Sequence, residues 1–305
     1  MLYVTTCNPT DTYIAQAALQ KVYAPDGGFF LPQRMPVLCD SKRFGISTQS
    51  ACDTIAEFLN IFFDLKLTSW NVECAIGKHP FRMVSVGHHM QMAEGWHNHR
   101  QRMDYLTKSL YSLMSDGIGL EPAGWAVIAI RIALFAGICA EGGFTPAHKF
   151  DLAITADDPV DLIAALYVRD MGLPIEKILY AAAEADGIWK LVTKGICPAE
   201  PAGKASWREQ AISAYFTCHL MADAGEKKTR IDEETQESLL QMIYVDVISE
   251  YRVGRLVSGL HQTNGYRIDP RAAIAYGALQ DYRASTGNRR DTVIICKEKP
   301  IGSEE

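Results

Sequence analysis

Phe150-Asp151-Leu152-Ala153-Ile154-Thr155, then Asp158-Pro159, then Asp161-Leu162-Ile163-Ala164-Ala165-Leu166-Tyr167, then Met171-Gly172-Leu173-Pro174-Ile175 decide the fold by their order. The first run is apolar and short enough for a buried strand. Asp158 before Pro159 marks a helix start, with the carboxylate as N-cap and proline at N1. The sequence therefore predicts a helix over 159–171, a second strand over 176–183 and a second helix over 187–193. Strand and helix in alternation read as a parallel sheet covered by helices, so the fold class is α/β.

On the C-terminal side, a helix over 270–282 and a strand over 291–296 are predicted to close the fold. On the N-terminal side, a strand over 1–6 and a helical stretch lead into Tyr23-Ala24-Pro25-Asp26-Gly27-Gly28-Phe29-Phe30-Leu31-Pro32. Pro25 presets φ there, and the two glycines can take positive φ where the chain reverses. The longest apolar run, 125–138, is interrupted by Arg131 and is too short to span a bilayer, so it reads as a buried core helix. The stretch 197–206, rich in Pro, Ala and Gly, reads as a loop. The segment 233–260, with Leu239, Leu240, Ile243, Val247, Tyr251 and Leu256 near helical spacing, reads as a long amphipathic stretch packed on the core or against a partner.

Composition narrows the function. With 305 residues, 48% hydrophobic and 22% charged, the chain has material for two small domains and no signature of disorder. A net charge of -6 and the lack of a basic stripe argue against nucleic acid as a partner. No secretory signal and no membrane span are read, and the eight cysteines form no Cys-x-x-Cys pair. Scattered core thiols fit a reducing compartment, so a cytoplasmic location is expected.

Three stretches, in order, resemble threonine synthase. They are the turn over 23–32, the gap-free segment 150–178, and Gly265-Tyr266-Arg267-Ile268-Asp269-Pro270-Arg271-Ala272-Ala273. The resemblance implies a fold type II pyridoxal phosphate scaffold, two α/β domains with the cofactor between them. This chain is shorter than the usual member, mainly between Met114 and Phe150, where the family carries a Ser-Gly-Asp-Thr-Gly loop that is missing here. The small domain is accordingly expected to be reduced, giving an N-terminal segment 1–95, a reduced cofactor-side domain 96–149 and a C-terminal α/β domain 150–305.

The residues that such an enzyme needs are not where the resemblance puts them. Pyridoxal phosphate chemistry takes a lysine for the aldimine, backbone N–H groups for the phosphate and a hydroxyl at the pyridine nitrogen. Around Trp96-His97-Asn98-His99-Arg100-Gln101-Arg102-Met103-Asp104, the family's lysine falls on Asp104 or is lost. Lys108, one turn further on, is expected to point to a different face, and is the remaining candidate for a relocated aldimine. The glycine-rich phosphate loop becomes Asp157-Asp158-Pro159-Val160-Asp161, which lacks the glycines and repels a dianion. The hydroxyl position falls on Lys297, an ammonium. No cofactor is therefore expected; pyridoxal phosphate is the cofactor if the family activity survives.

Two other readings stay open. His88, His89, His97 and His99, with Glu94, form a candidate zinc or nickel cluster whose spacing matches no familiar signature. His97, His99 and Arg100 could instead hold a small anionic or amino-acid ligand as the remnant of a cofactor loop. The leading expectation is a threonine synthase-like pseudoenzyme with a binding, regulatory or subunit role, paired with a protein partner or with itself. The alternatives are an active enzyme of the family with a relocated lysine, acting on an O-phosphorylated amino acid, and a metal-dependent enzyme.

Overall fold

The computed structural model describes residues 1–38, 49–97, 102–115, 121–197, 206–220 and 230–300. A small antiparallel sheet opens the chain, with β1 (Leu2–Thr5) between β2 (Tyr13–Ile14) and β3 (Phe30–Pro32), and α1 (Ala15–Gln20) following β2. Next come α2 (Ala51–Phe63), α3 (Ser69–Ile76), the hairpin β4 (Arg82–Ser85) and β5 (Met90–Glu94), α4 (Asp104–Met114) and α5 (Trp125–Glu141). The central unit is β6 (Phe150–Thr155), α6 (Pro159–Asp170), β7 (Ile175–Ala182) and α7 (Gly187–Lys194). The chain continues through α8 (Trp207–Leu220), α9 (Glu233–Met242), β8 (Ile243–Val247), α10 (Glu250–Asn264), α11 (Pro270–Thr286) and β9 (Thr292–Cys296).

Six of these strands form one sheet in the order β4-β5-β9-β6-β7-β8, parallel throughout except for the β4–β5 hairpin. Side chains alternate across it with period two. Leu152, Ile154, Ile178, Tyr180, Val293 and Ile295 face the larger core, where α2, α5 and α6 lie. Ala153, Leu179, Ala181, Ile294 and Cys296 face the smaller one, under α10 and α11. Both faces are covered, as a parallel sheet requires. The sheet takes β5 from the segment before residue 95 and β9 from the end of the chain, so the two are one layer.

The predicted unit over 150–193 is present, with Asp158 accepting from Val160 N–H as the N-cap and Pro159 leading α6. The apolar run is likewise a core helix: every residue of α5 from Trp125 to Cys139 is buried, between α2 and α6. Trp125 joins the layers, lying edge-on to Tyr3, Phe62 and Tyr167 at ring distances of 6.1, 5.9 and 5.5 Å. Its indole N–H donates to the Tyr3 hydroxyl, which in turn donates to Phe62 C=O. Such ring pairs add about 0.5–1.5 kcal/mol each beyond their buried area.

The segment 233–260 is not one helix. Ile243-Tyr244-Val245-Asp246-Val247, β-branched and aromatic, forms edge strand β8 beside β7, and the helices on either side begin after Asp232 and Ser249. Apolar residues spaced by three and four across the strand mimicked a continuous helical face. Among the described residues, no helix is long and apolar enough to cross a membrane.

Candidate functional site

In parallel α/β sheets, ligands sit beyond the carboxyl ends of the strands. At that end, β6 runs into Asp157 and Asp158, β9 into Lys297 and Glu298, and the chain after β5 comes round to Arg102 and Asp104. Met103 N–H donates to Lys297 C=O at 2.8 Å, which ties these segments together. They open onto a cleft of 470 Å³ lined by Arg102, Asp104, Lys108, Arg131, Asp157, Asp158, Arg208, Arg271, Lys297 and Glu298, among others.

The cleft floor is a chain of ion pairs. Lys297 Nζ lies 3.0 and 3.1 Å from the two Asp157 oxygens and 2.5 Å from Asp161 Oδ2. Asp161 is fully buried, and its other oxygen is 3.1 Å from Arg131 Nε. These contacts to Asp161 are charge contacts and not aligned hydrogen bonds, since both its oxygens and Arg131 Nε have no hydrogen-bond partner. Asp158 Oδ2 sits 3.7 Å from Arg131 NH2, and its Oδ1 sits 3.5 Å from Arg208 Nε. At the mouth, Arg271 reaches Asp157 and Glu298, and Arg102 reaches Asp104 and Glu298.

Burial and pairing compete at each of these groups. Burial lowers the pKa of Lys297, but Asp161 and Asp157 outweigh it and leave the ammonium more firmly protonated than usual. Arg131 follows the same pattern, with burial overcome by Asp161 and Asp158. For Asp157, burial raises the pKa, while Lys297 and the Thr155 hydroxyl bring the net shift below the ordinary carboxylate value. All three stay charged at neutral pH.

The residues present do not fit a pyridoxal phosphate. The N-terminus of α6 is closed by its own Asp158, and Val160, buried, offers only an N–H already bonded to that carboxylate. A phosphate there would face Asp157 and Asp158. Where the resemblance places a hydroxyl, Lys297 is held by two aspartates. Asp104 opens α4 and pairs with Arg102 at 3.6 Å.

Lys108 departs from expectation. It lines the same cleft as Asp104, because residues four apart lie on one helix face, and it pairs with Glu121 at 3.3 Å.

The histidines are spread over both ends of β5. His88 and His89 precede it, in the hairpin, and His97 follows it. His89 Nδ1 is bonded to Asp291 at 2.8 Å, and Asp291 also holds His148 at 2.7 Å. Glu94 is taken by Arg82 and the Tyr266 hydroxyl. Burial and Arg82 lower the pKa of His97, favouring the neutral ring. Among the described residues, no group of three or more His, Cys, Asp or Glu is placed to hold a metal ion. His99 and Arg100 lie outside the described residues.

Sequence reading did not single out Arg131, Arg208 or Arg271 as site residues, and Asp161 entered only as the last position of the altered phosphate loop. Arg131 carried a usable signal: one cation inside an all-apolar helix must find a buried anion. Asp161, in a helix buried on most sides, is that anion.

No family model matches the chain, and no curated protein matches it by sequence. Solved structures do match. Threonine synthase from Brucella melitensis, with pyridoxal phosphate bound, is 13% identical with a TM-score of 0.76, over 98% of this chain and 89% of that one. The yeast enzyme gives 13% and 0.72 over 98% and 87%, and the Escherichia coli enzyme 12% and 0.73 over 98% and 89%. The likeness is one of fold: this chain has the α/β, mostly parallel fold type II architecture of threonine synthase.

Proposed function

We propose that this protein uses the threonine synthase fold without pyridoxal phosphate catalysis and acts by binding, as a subunit, a regulator or a ligand sensor. The observation that carries the reading is the clamp of Lys297 between Asp157 and Asp161, at 2.5 to 3.1 Å, at the carboxyl end of the sheet. An ammonium held by two aspartates at the start of α6 leaves no cradle for a phosphate at that helix and no neutral hydroxyl for a pyridine ring. The role then falls to the cleft mouth or to a protein partner, including a second copy of the chain.

One observation favours a second reading. Lys108 lines the cleft and is 58% exposed, so a carbonyl cofactor entering the mouth would meet an amine. This reading makes the protein an active member of the threonine synthase type with a relocated lysine.

Titration of the purified protein with pyridoxal phosphate, followed by borohydride reduction and peptide mapping, separates the two. The binding reading expects no aldimine absorbance and no labelled lysine. A stable band that reduces onto Lys108 would overturn it.

A further inference from the structure

The end of the sheet opposite the cleft carries charge that its own acids do not balance. His89 precedes β5, Lys149 precedes β6, and Arg289, Arg290 and Asp291 precede β9, while Glu176 and Lys177 lie at the start of β7. These strands are parallel, so the residues gather at one face, the amino end. Two helices run back to it. α6 ends there with Arg169 and Asp170, whose charges cancel, and α11 ends there with Arg283 in its last turn. The dipole of α11 explains a cation at Arg283, but Lys149, Arg289 and Arg290 lie in loops.

The carboxylates of this face are already taken. Asp151 meets Arg290 at 3.0 Å, Glu176 meets Lys149 at 2.8 Å, and Asp291 holds His89 and His148 at 2.8 and 2.7 Å. The other cations rest on neutral carbonyls: Lys177 on Leu240 C=O, Arg283 on His89 and Arg290 C=O, and Arg289 on Arg283 and Asn288 C=O. Among the described residues, none of these three forms an ion pair. Burial, and after it the neighbouring Arg289, lower the pKa of Arg283, so its charge is held against the grain of its surroundings. Five lysines and arginines thus stand against three carboxylates, beside two half-exposed histidines, on a chain whose net charge is -6.

We infer that this face docks an acidic segment of a partner protein, which meets Arg283 and Arg289, the two guanidiniums without an acid. The charges come from several loops, so a segment with several carboxylates matches them better than one small ion. A nucleic acid matches less well. The rings beneath the face, Phe144 and Tyr282, are buried and offer no stacking surface, and the acidic remainder of the chain repels a long polyanion. The inference rests on the binding role proposed above and names the chemistry of the partner. It leaves the cleft, at the other end of the strands, uninvolved.

Fluorescence anisotropy of the full chain, titrated into a labelled ten-residue polyglutamate peptide at low ionic strength, tests it. Saturable binding is expected, falling steeply with added salt. Arg289→Glu should weaken it about tenfold or more, and Arg283→Gln about tenfold, by like charge in one and a lost charge-assisted contact in the other. Arg255→Glu, at an arginine on α10 that donates to the Tyr251 hydroxyl, should leave it unchanged. If circular dichroism shows Arg283→Gln unfolded, the exposed Arg289 decides. No saturable binding, or equal weakening in Arg255→Glu, overturns the inference. A labelled ten-nucleotide single-stranded DNA that binds more tightly than the peptide, and loses affinity in Arg289→Glu, overturns the protein partner in favour of a nucleic acid. A reduced adduct on Lys108 would overturn the non-catalytic reading and leave this face to the titration, whereas absent peptide binding with no adduct sinks the docking face alone.

Discussion

Asp269 shows what a single buried carboxyl does to this molecule. Its Oδ1 caps α11 by accepting from Arg271 and Ala272 N–H at 2.9 and 3.0 Å, while Oδ2 is buried without a partner. Burial raises its pKa from 3.8 to about 6, against the two N–H bonds and with help from Glu298 and Asp157. A raised acid favours the folded state while it holds its proton, so this contribution is complete below about pH 4 and is lost as pH rises through 6. Asp269→Asn keeps the cap and removes the titration. Relative to wild type, the variant should gain on the order of 1–3 kcal/mol between pH 4 and pH 7, from a shift of about two units, read by urea unfolding at both pH values. An equal difference at the two pH values would show that Asp269 titrates normally. From the sequence, Asp269-Pro270 was legible as a helix start. Its burial was not, because Glu298 and Asp157, whose charges act on it, come from distant parts of the chain.

Elements were legible where local chemistry and burial agree. Asp158-Pro159 and Asp269-Pro270 each begin a helix, and β6 and β9 are buried on both faces because helices cover both. Agreement failed over 233–260, where an edge strand shares its outward face with solvent and the apolar spacing of α9 and α10 ran through it. The turn before β3 was also legible, and the structure divides the roles of its glycines. Gly27 has φ of +81° and open space around it, whereas a Cβ on Gly28 would come within 2.8 Å of Thr5 Cβ and 2.9 Å of Cys7 N. Gly27→Ala should cost about 1 kcal/mol for left-handed backbone, and Gly28→Ala about 1–3 kcal/mol for forced overlap against backbone. Urea denaturation of the pair checks the order; a larger loss at Gly27 would show that conformation, and not close approach, governs the turn.

At the scale of the molecule, the ion-pair floor is where the layers meet. Lys297 extends β9, Asp161 belongs to α6 and Arg131 to α5, so three elements far apart in sequence converge on one fully buried carboxylate. The candidate site was legible only in part for the same reason. Asp157, Asp158 and Lys297 could be placed by resemblance, but the partnership of Lys297 with Asp161 and Arg131 exists only once the sheet and its helices have packed. Buried charges of this kind stabilise little as a set, yet removing one member strands the others. Lys297→Met should therefore cost about 3–5 kcal/mol, because Asp157 and Asp161 would keep their charges without that ammonium. Asp161→Asn alone leaves Lys297 with Asp157 and Arg131 with Asp158, a smaller imbalance. The double variant removes the ammonium and the most buried carboxylate together, so its loss should fall short of the sum of the single losses by about 1–3 kcal/mol. Urea unfolding of the four proteins at pH 7 gives the coupling. Additive losses would mean that Lys297 and Asp161 act independently, and the clamp would then be no obstacle to a cofactor entering the cleft.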